Sequence, residues 1–169
     1  TSGISLLSNG GDMALYGESS ANNIGHKRGV YGFTGLTMNS GAGKIGIYGK
    51  ATSNLEDTGY KNAVEMYGGT ITSASAAADA ITIVGDASTA NTGIGGGIQG
   101  LQMGNNMVVS TTAGGGISIT GKTNAGTVGD LVDVTLGSAS FLSNSGPITV
   151  TGQTAKGIRL IGPLFGPSR

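Results

Sequence analysis

A five-residue phrase recurs through this chain and constrains its fold more than any other feature. It reads apolar, any, apolar, any, Gly. It stands at Met13–Gly17 (MALYG), Ile45–Gly49 (IGIYG), Ile81–Gly85 (ITIVG), Ile117–Gly121 (ISITG) and Ile148–Gly152 (ITVTG). The closing glycines lie 32, 36, 36 and 31 residues apart. Alternating apolar positions describe a strand. A strand phrase that returns at such a period describes a solenoid, whose coils bury their apolar faces only by stacking on one another.

Two further strand segments complete each repeat. One follows a loop rich in Gly, Asn, Ser and Thr and begins near Val30, Val64, Ile98, Val132 and Ile158. The other covers ISLLSNGG from Ile4, LTMNSG from Leu36, TITSAS from Thr70, MVVSTT from Met107 and SFLSNSG from Ser140. The pattern predicts an all-β fold: a right-handed parallel β-helix of about five coils, each of three short strands, with the first and last incomplete. Residues 1–169 read as a single solenoid segment, and as an excerpt of a longer repeat protein.

Stacking the phrases in register gives two interior ladders. One is Met13, Ile45, Ile81, Ile117 and Ile148; the other is Leu15, Ile47, Ile83, Ile119 and Val150. The positions after the closing glycines test this register independently. They read Glu18, Lys50, Asp86, Lys122 and Gln153, so charge alternates along the stack and no like charges face each other. The outward row before each glycine reads Tyr16, Tyr48, Val84, Thr120 and Thr151. In the second strand, Asp133 is expected to stack on Arg159. Asp12 and Lys44 precede equivalent strands and are expected to pair. The run Ala74–Ala80 is helix-prone in composition but short and without an amphipathic stripe, so a corner is expected there.

Composition narrows the function classes. Glycine is abundant at 34 of 169 residues, but not at every third position, which excludes a collagen helix. Hydrophobic residues make up 37% and formal net charge is zero, which separates the chain from disordered sequences. Balanced charge also argues against nucleic acid or an anionic membrane as main partner. No apolar run approaches the roughly 18–20 residues of a membrane helix. Cysteine is absent.

The phrases GGGISITGKT and SGPITVTGQT, with the cycle from ITVTG through GIRL and the segment ASFLSNSG, resemble the repeats of large bacterial exoproteins of the filamentous haemagglutinin type. That resemblance implies a right-handed parallel β-helix, export by two-partner secretion, and a role at the cell surface as adhesin, filament or toxin-delivery stalk. No binding residue carries over from it.

Several short motifs look like chemistry. Gly116–Thr123 (GISITGKT) matches a P-loop letter for letter, but its middle is itself the strand and a loop follows where a helix is needed. GAGKIG from Gly41 and GGGIQG from Gly95 match a dinucleotide fingerprint without a crossover helix behind them. His26, the only histidine, stands in the basic cluster His26-Lys27-Arg28, which reads as a solvated loop tip. The acidic residues scatter over different expected faces, with Glu56 and Asp57 adjacent in a loop. Tyr16, Tyr31, Tyr48, Tyr60 and Tyr67 cluster in the first two fifths of the chain, as a ladder holding register or as a surface for sugars or a partner.

The expected function is structural: an extracellular stalk, filament or adhesin segment at a bacterial cell surface, not an enzyme, with no catalytic, metal or cofactor site. Expected partners are further coils or copies of the same protein, together with surface glycans or host receptors, and neither nucleic acid nor a membrane interior. Specificity is expected in the loops between first and second strands, from Lys50–Asn62 to Gln153–Lys156. The alternative on this scaffold is a polysaccharide-active enzyme or a phage tailspike segment. A flat Thr face for ice binding is too short, since only Thr120 and Thr151 form a Thr step.

Overall fold

The computed structural model describes residues 3–19, 25–53, 59–90, 96–124 and 130–161. Their fifteen strands form three parallel sheets of five strands each, wound as a parallel β-helix; no helix occurs among the described residues. Sheet A holds β1 (Ser5–Leu7), β4 (Leu36–Asn39), β7 (Gly69–Ser73), β10 (Val108–Thr111) and β13 (Ser140–Ser143). Sheet B holds β2 (Met13–Glu18), β5 (Ile45–Lys50), β8 (Ile81–Asp86), β11 (Ile117–Lys122) and β14 (Ile148–Gly152). Sheet C holds β3 (Lys27–Gly32), β6 (Lys61–Tyr67), β9 (Ile98–Gly104), β12 (Leu131–Gly137) and β15 (Ile158–Ile161).

Sheet B has the register that the repeated phrase predicts. Met13, Ile45, Ile81, Ile117 and Ile148 pair in sequence, as do Leu15, Ile47, Ile83, Ile119 and Val150. The six isoleucines of the middle three coils are buried. Each stabilises the stack by roughly 1.5–3 kcal/mol. Sheet A faces them with Met38, Ile71 and Val109, and sheet C with Val64, Leu101 and Val134, all in one cluster. Outside, Glu18, Lys50, Asp86 and Lys122 pair in register, and the Lys50 ammonium lies 2.7 Å from the Glu18 carboxylate.

The closing glycine has a steric cause. A Cβ on Gly17, Gly49, Gly85 or Gly121 would overlap a carbonyl oxygen of sheet C, that of Gly29, Ala63, Gly100 and Asp133 respectively. Beyond the loop that joins the two sheets, the strand of sheet C comes to lie against the glycine Cα. The sheet C ladders skip these same four residues, so a bend runs through the sheet at that row.

That bend corrects the expected register of the second strand. The paired inward row is Val30, Val64, Leu101, Val134 and Ile158, whereas Ile98 pairs with Lys61 and Leu131. Apolar residues stand on both sides of the bend, so strict alternation across it places Ile98 and Val132 in the wrong row. Asp133 consequently does not stack on Arg159, which pairs with Thr135. Asp12 accepts a hydrogen bond from the Lys44 backbone N–H at 2.8 Å, while the Lys44 ammonium reaches forward to Asp79 at 2.7 Å.

A hydroxyl row lines the corner between sheets A and B. Ser40, Ser73, Thr111 and Ser143 donate to the carbonyls of Gly43 or Gly115 at 2.6–3.0 Å. The hydroxyls satisfy carbonyls that the turn leaves without strand partners. Ala74–Ala80 makes a corner, closed by the Ala80 N–H donating to the Ala77 carbonyl at 3.0 Å.

Both ends of the column leave apolar rungs in water. Ile4 and Leu6 are exposed at one end, and Ile148, Ile158 and Leu160 at the other.

Gly85→Ala and Gly46→Ala separate backbone crowding from glycine content. The Cβ at Gly85 meets a fixed carbonyl, whereas at Gly46 it meets the swinging ring of Tyr48. Thermal or urea unfolding is expected to show Gly85→Ala destabilised by about 3 kcal/mol or more and Gly46→Ala by less than about 1 kcal/mol.

Candidate functional site

The outer face of sheet C carries a polar hollow. Its rows follow from stacking: Arg28, Asn62 and Gln99 in one, Tyr31, Glu65, Gln102, Thr135 and Arg159 in the next. The hollow encloses about 310 Å³, with His26, Tyr60, Gln99, Gln102, Thr135 and Arg159 among its lining. A second hollow of about 240 Å³ continues it past Tyr67, Gly104 and Gly137. Those two glycines carry no side chain above the sheet, which leaves a trough there.

The basic cluster does not form a solvated loop tip, as it was expected to do. It opens β3, and the strand alternation sends its members to opposite sides. Lys27 is buried and pairs in register with the equally buried Lys61, in the row that Ile98 and Leu131 continue. His26 and Arg28 stay outside. His26 stacks on Tyr60, ring centroids 5.7 Å apart and planes nearly parallel, and its Nδ1 accepts the Tyr60 backbone N–H at 3.3 Å. Arg28 donates to Glu65 at 2.5 Å and lies over the Tyr31 ring at 4.5 Å. Its guanidinium is held more firmly protonated by that hydrogen bond.

Charges in the hollow are matched. Asn62 also donates to Glu65, at 2.8 Å, and to the Gln102 side-chain oxygen at 3.1 Å. Arg159 makes a two-pronged ion pair with Asp130, and its guanidinium holds that carboxyl below the usual range. Burial, with the Glu65 carboxylate beside it, pushes the Tyr67 phenol up to about 12, so it stays protonated.

Three polar atoms here have no partner: Asn62 Oδ1, Gln99 Oε1 and Thr135 Oγ1. Their residues are 3%, 6% and 2% exposed. An unmet buried acceptor costs roughly 1–3 kcal/mol, and here three share one patch of one sheet face.

Asp133 has a different role. It is fully buried beneath the corner between sheets B and C. Its carboxylate accepts the backbone N–H and hydroxyl of Thr123 at 2.9 and 2.8 Å, and those of Thr154 in the next coil at 2.7 and 2.8 Å. Burial alone would raise its pKa, but these bonds outweigh that and hold it below the ordinary value. It stands in the row of Gly29, Ala63 and Gly100, and the glycine at 152 leaves room for its carboxylate. Asp133 is therefore a peg between two coils.

The other motifs take structural places. Gly116–Thr123 lies along β11 and the corner after it, with Ile117 and Ile119 in the core and Thr123 bound to Asp133. Gly41 makes a turn with positive φ ahead of β5, and Gly96–Gly100 leads into and along β9. Tyr16 and Tyr48 pair on the outer face of sheet B, away from Tyr31, Tyr60 and Tyr67. Glu56, Asp57, Gly95 and a five-residue part of each of the four longer loops between sheets B and C lie outside the described residues. Among the described residues, no group of three His, Cys, Asp or Glu could hold a metal.

Sequence reasoning missed the hollow. Asn62, Gln99, Gln102 and Thr135 meet only through coil stacking, and the register that unites them depends on the bend. No family model, curated protein or solved structure matches this chain.

Asp133→Ala strands two backbone N–H groups and is expected to cost about 2–5 kcal/mol in urea unfolding. Because the folded carboxyl titrates below its unfolded value of about 3.9, its contribution is full above that pH. It fades as pH falls through the lower folded value. The stability lost to Asp133→Ala should therefore shrink below about pH 4, which a melting series from pH 2 to 7 would measure.

Proposed function

We propose that this chain is a section of an extracellular stalk or filament at a bacterial surface, used for adhesion, in which the coil stack continues through its end faces. One observation carries the reading: the inward rows end on exposed apolar side chains at both ends, with Ile4 66% and Ile148 44% exposed. Parallel strands with open edges and apolar rungs recruit further strands. A second copy docked head to tail would extend every row. Ile148 and Val150 would meet Met13 and Leu15, and Gln153 would meet Glu18. The extracellular and bacterial parts of the reading rest on the resemblance of the repeats to haemagglutinin-type exoproteins.

The enzyme alternative draws less support from sheet C. Cleavage of a glycosidic bond needs two carboxyls poised about 5–9.5 Å apart across the substrate. Glu65 is held by Arg28 and Asn62, Asp130 by Arg159, and Asp133 is buried among threonine donors.

Sedimentation velocity and electron microscopy over a concentration series test the stalk. The chain is expected to associate end to end. Every head-to-tail junction uses one face of each kind, so Ile4→Glu or Ile148→Glu alone should keep the chain monomeric, and an equimolar mixture of the two variants should stop at dimers. A wild-type chain that remains monomeric at its highest soluble concentration would overturn the reading.

A further inference from the structure

We infer that the hollow on sheet C binds a neutral oligosaccharide, with the Tyr60 ring as a stacking platform and the Gln99 and Thr135 oxygens facing sugar hydroxyls. This deepens the adhesive part of the reading above and rests on it for its biological sense, but its geometry stands apart from end-to-end stacking.

Four observations favour that ligand. First, the unmet atoms include two amide oxygens, which can only accept hydrogen bonds. The missing ligand is therefore rich in donors, as a polyol is. Both residues, Asn62 and Gln99, line the hollow, and the two oxygens are buried in its floor. Second, Tyr60 is half exposed, with the parallel ring of His26 on the side of one neighbouring coil and the bare backbone of Gly97 on that of the other, so a rigid aromatic plate is presented at the rim of the hollow. Such a plate suits the C–H face of a sugar ring, while its hydroxyls meet polar groups at the rim.

Third, the ions of the hollow are already mated, Arg28 with Glu65 and Arg159 with Asp130. An anionic polysaccharide would have to break one of these pairs to find a cation, whereas a neutral one uses their remaining hydrogen-bonding edges. Fourth, the trough over Gly104 and Gly137 prolongs the hollow across the coils. That shape fits a chain of sugar units better than a single one. A peptide fits less well, because extended peptides are captured by pairing with a free strand edge, and β6, β9 and β12, the central strands beneath this hollow, are paired on both sides.

The test uses the full chain carrying Ile4→Glu and Ile148→Glu, so that association cannot obscure binding. Saturation-transfer NMR and calorimetry are run with cellohexaose, chitohexaose, mannohexaose and a heparin hexasaccharide. At least one neutral series is expected to bind. Tyr60→Ala and Gln99→Leu should each weaken it by about tenfold or more, while Tyr16→Ala on sheet B should leave it unchanged. Tyr60 is exposed enough that its variant should fold even if Gln99→Leu does not, and melting curves check both. Three outcomes overturn the proposal: no neutral oligosaccharide binds; heparin alone binds; or binding survives Tyr60→Ala undiminished. None of them bears on whether the coils stack.

Discussion

The close approach of sheet C to the closing glycine of the first four sheet B strands is the contact on which the architecture depends. Carbonyl oxygens of Gly29, Ala63, Gly100 and Asp133 lie where a side chain at residues 17, 49, 85 and 121 would be. Only glycine permits that approach, and only that approach closes a three-sided coil around a column this narrow. The periodic glycine is therefore the geometric condition under which isoleucines of successive coils can lie directly above one another.

With the coil shape set, the rows divide the remaining work. Inward rows of isoleucine, valine and methionine supply the driving force. A hydroxyl row satisfies turn carbonyls between sheets A and B. The row beneath the corner between sheets B and C stays small except at Asp133, where a carboxylate gathers four donors from two coils. The outward rows are free to vary. On sheet B they hold charges and tyrosines; on sheet C they make a hollow whose acceptors are not all met.

Sheet B was legible in the sequence because two signals coincide there: alternation fixes which residues face inward, and glycine marks the end of each strand. Sheet C was only half legible. Its strands cross the bend at Gly29, Ala63, Gly100 and Asp133, and apolar residues flank the bend on both sides, so Ile98 looks like the partner of Val64 when Leu101 is. Two consequences followed from that slip. Asp133 read as an outward charge for Arg159, although it is buried among threonines, and Arg159 pairs with Asp130 instead. The triplet at 26–28 read as one charged patch because a loop was expected, yet a strand places Lys27 inside and its neighbours outside. The hollow was illegible for a more basic reason. Asn62, Gln99 and Thr135 stand more than thirty residues apart, and only a correct register brings them together.

The alternating charges beside the closing glycines limit how such a protein can change length. Glu18, Lys50, Asp86 and Lys122 stand in consecutive coils. Loss of the one coil carrying Lys50 would bring Glu18 against Asp86, two carboxylates face to face. Loss of two adjacent coils would bring Glu18 against Lys122 and restore attraction. Along these four coils, then, windings are removed with least conflict of charge in pairs, although each winding is a complete structural turn.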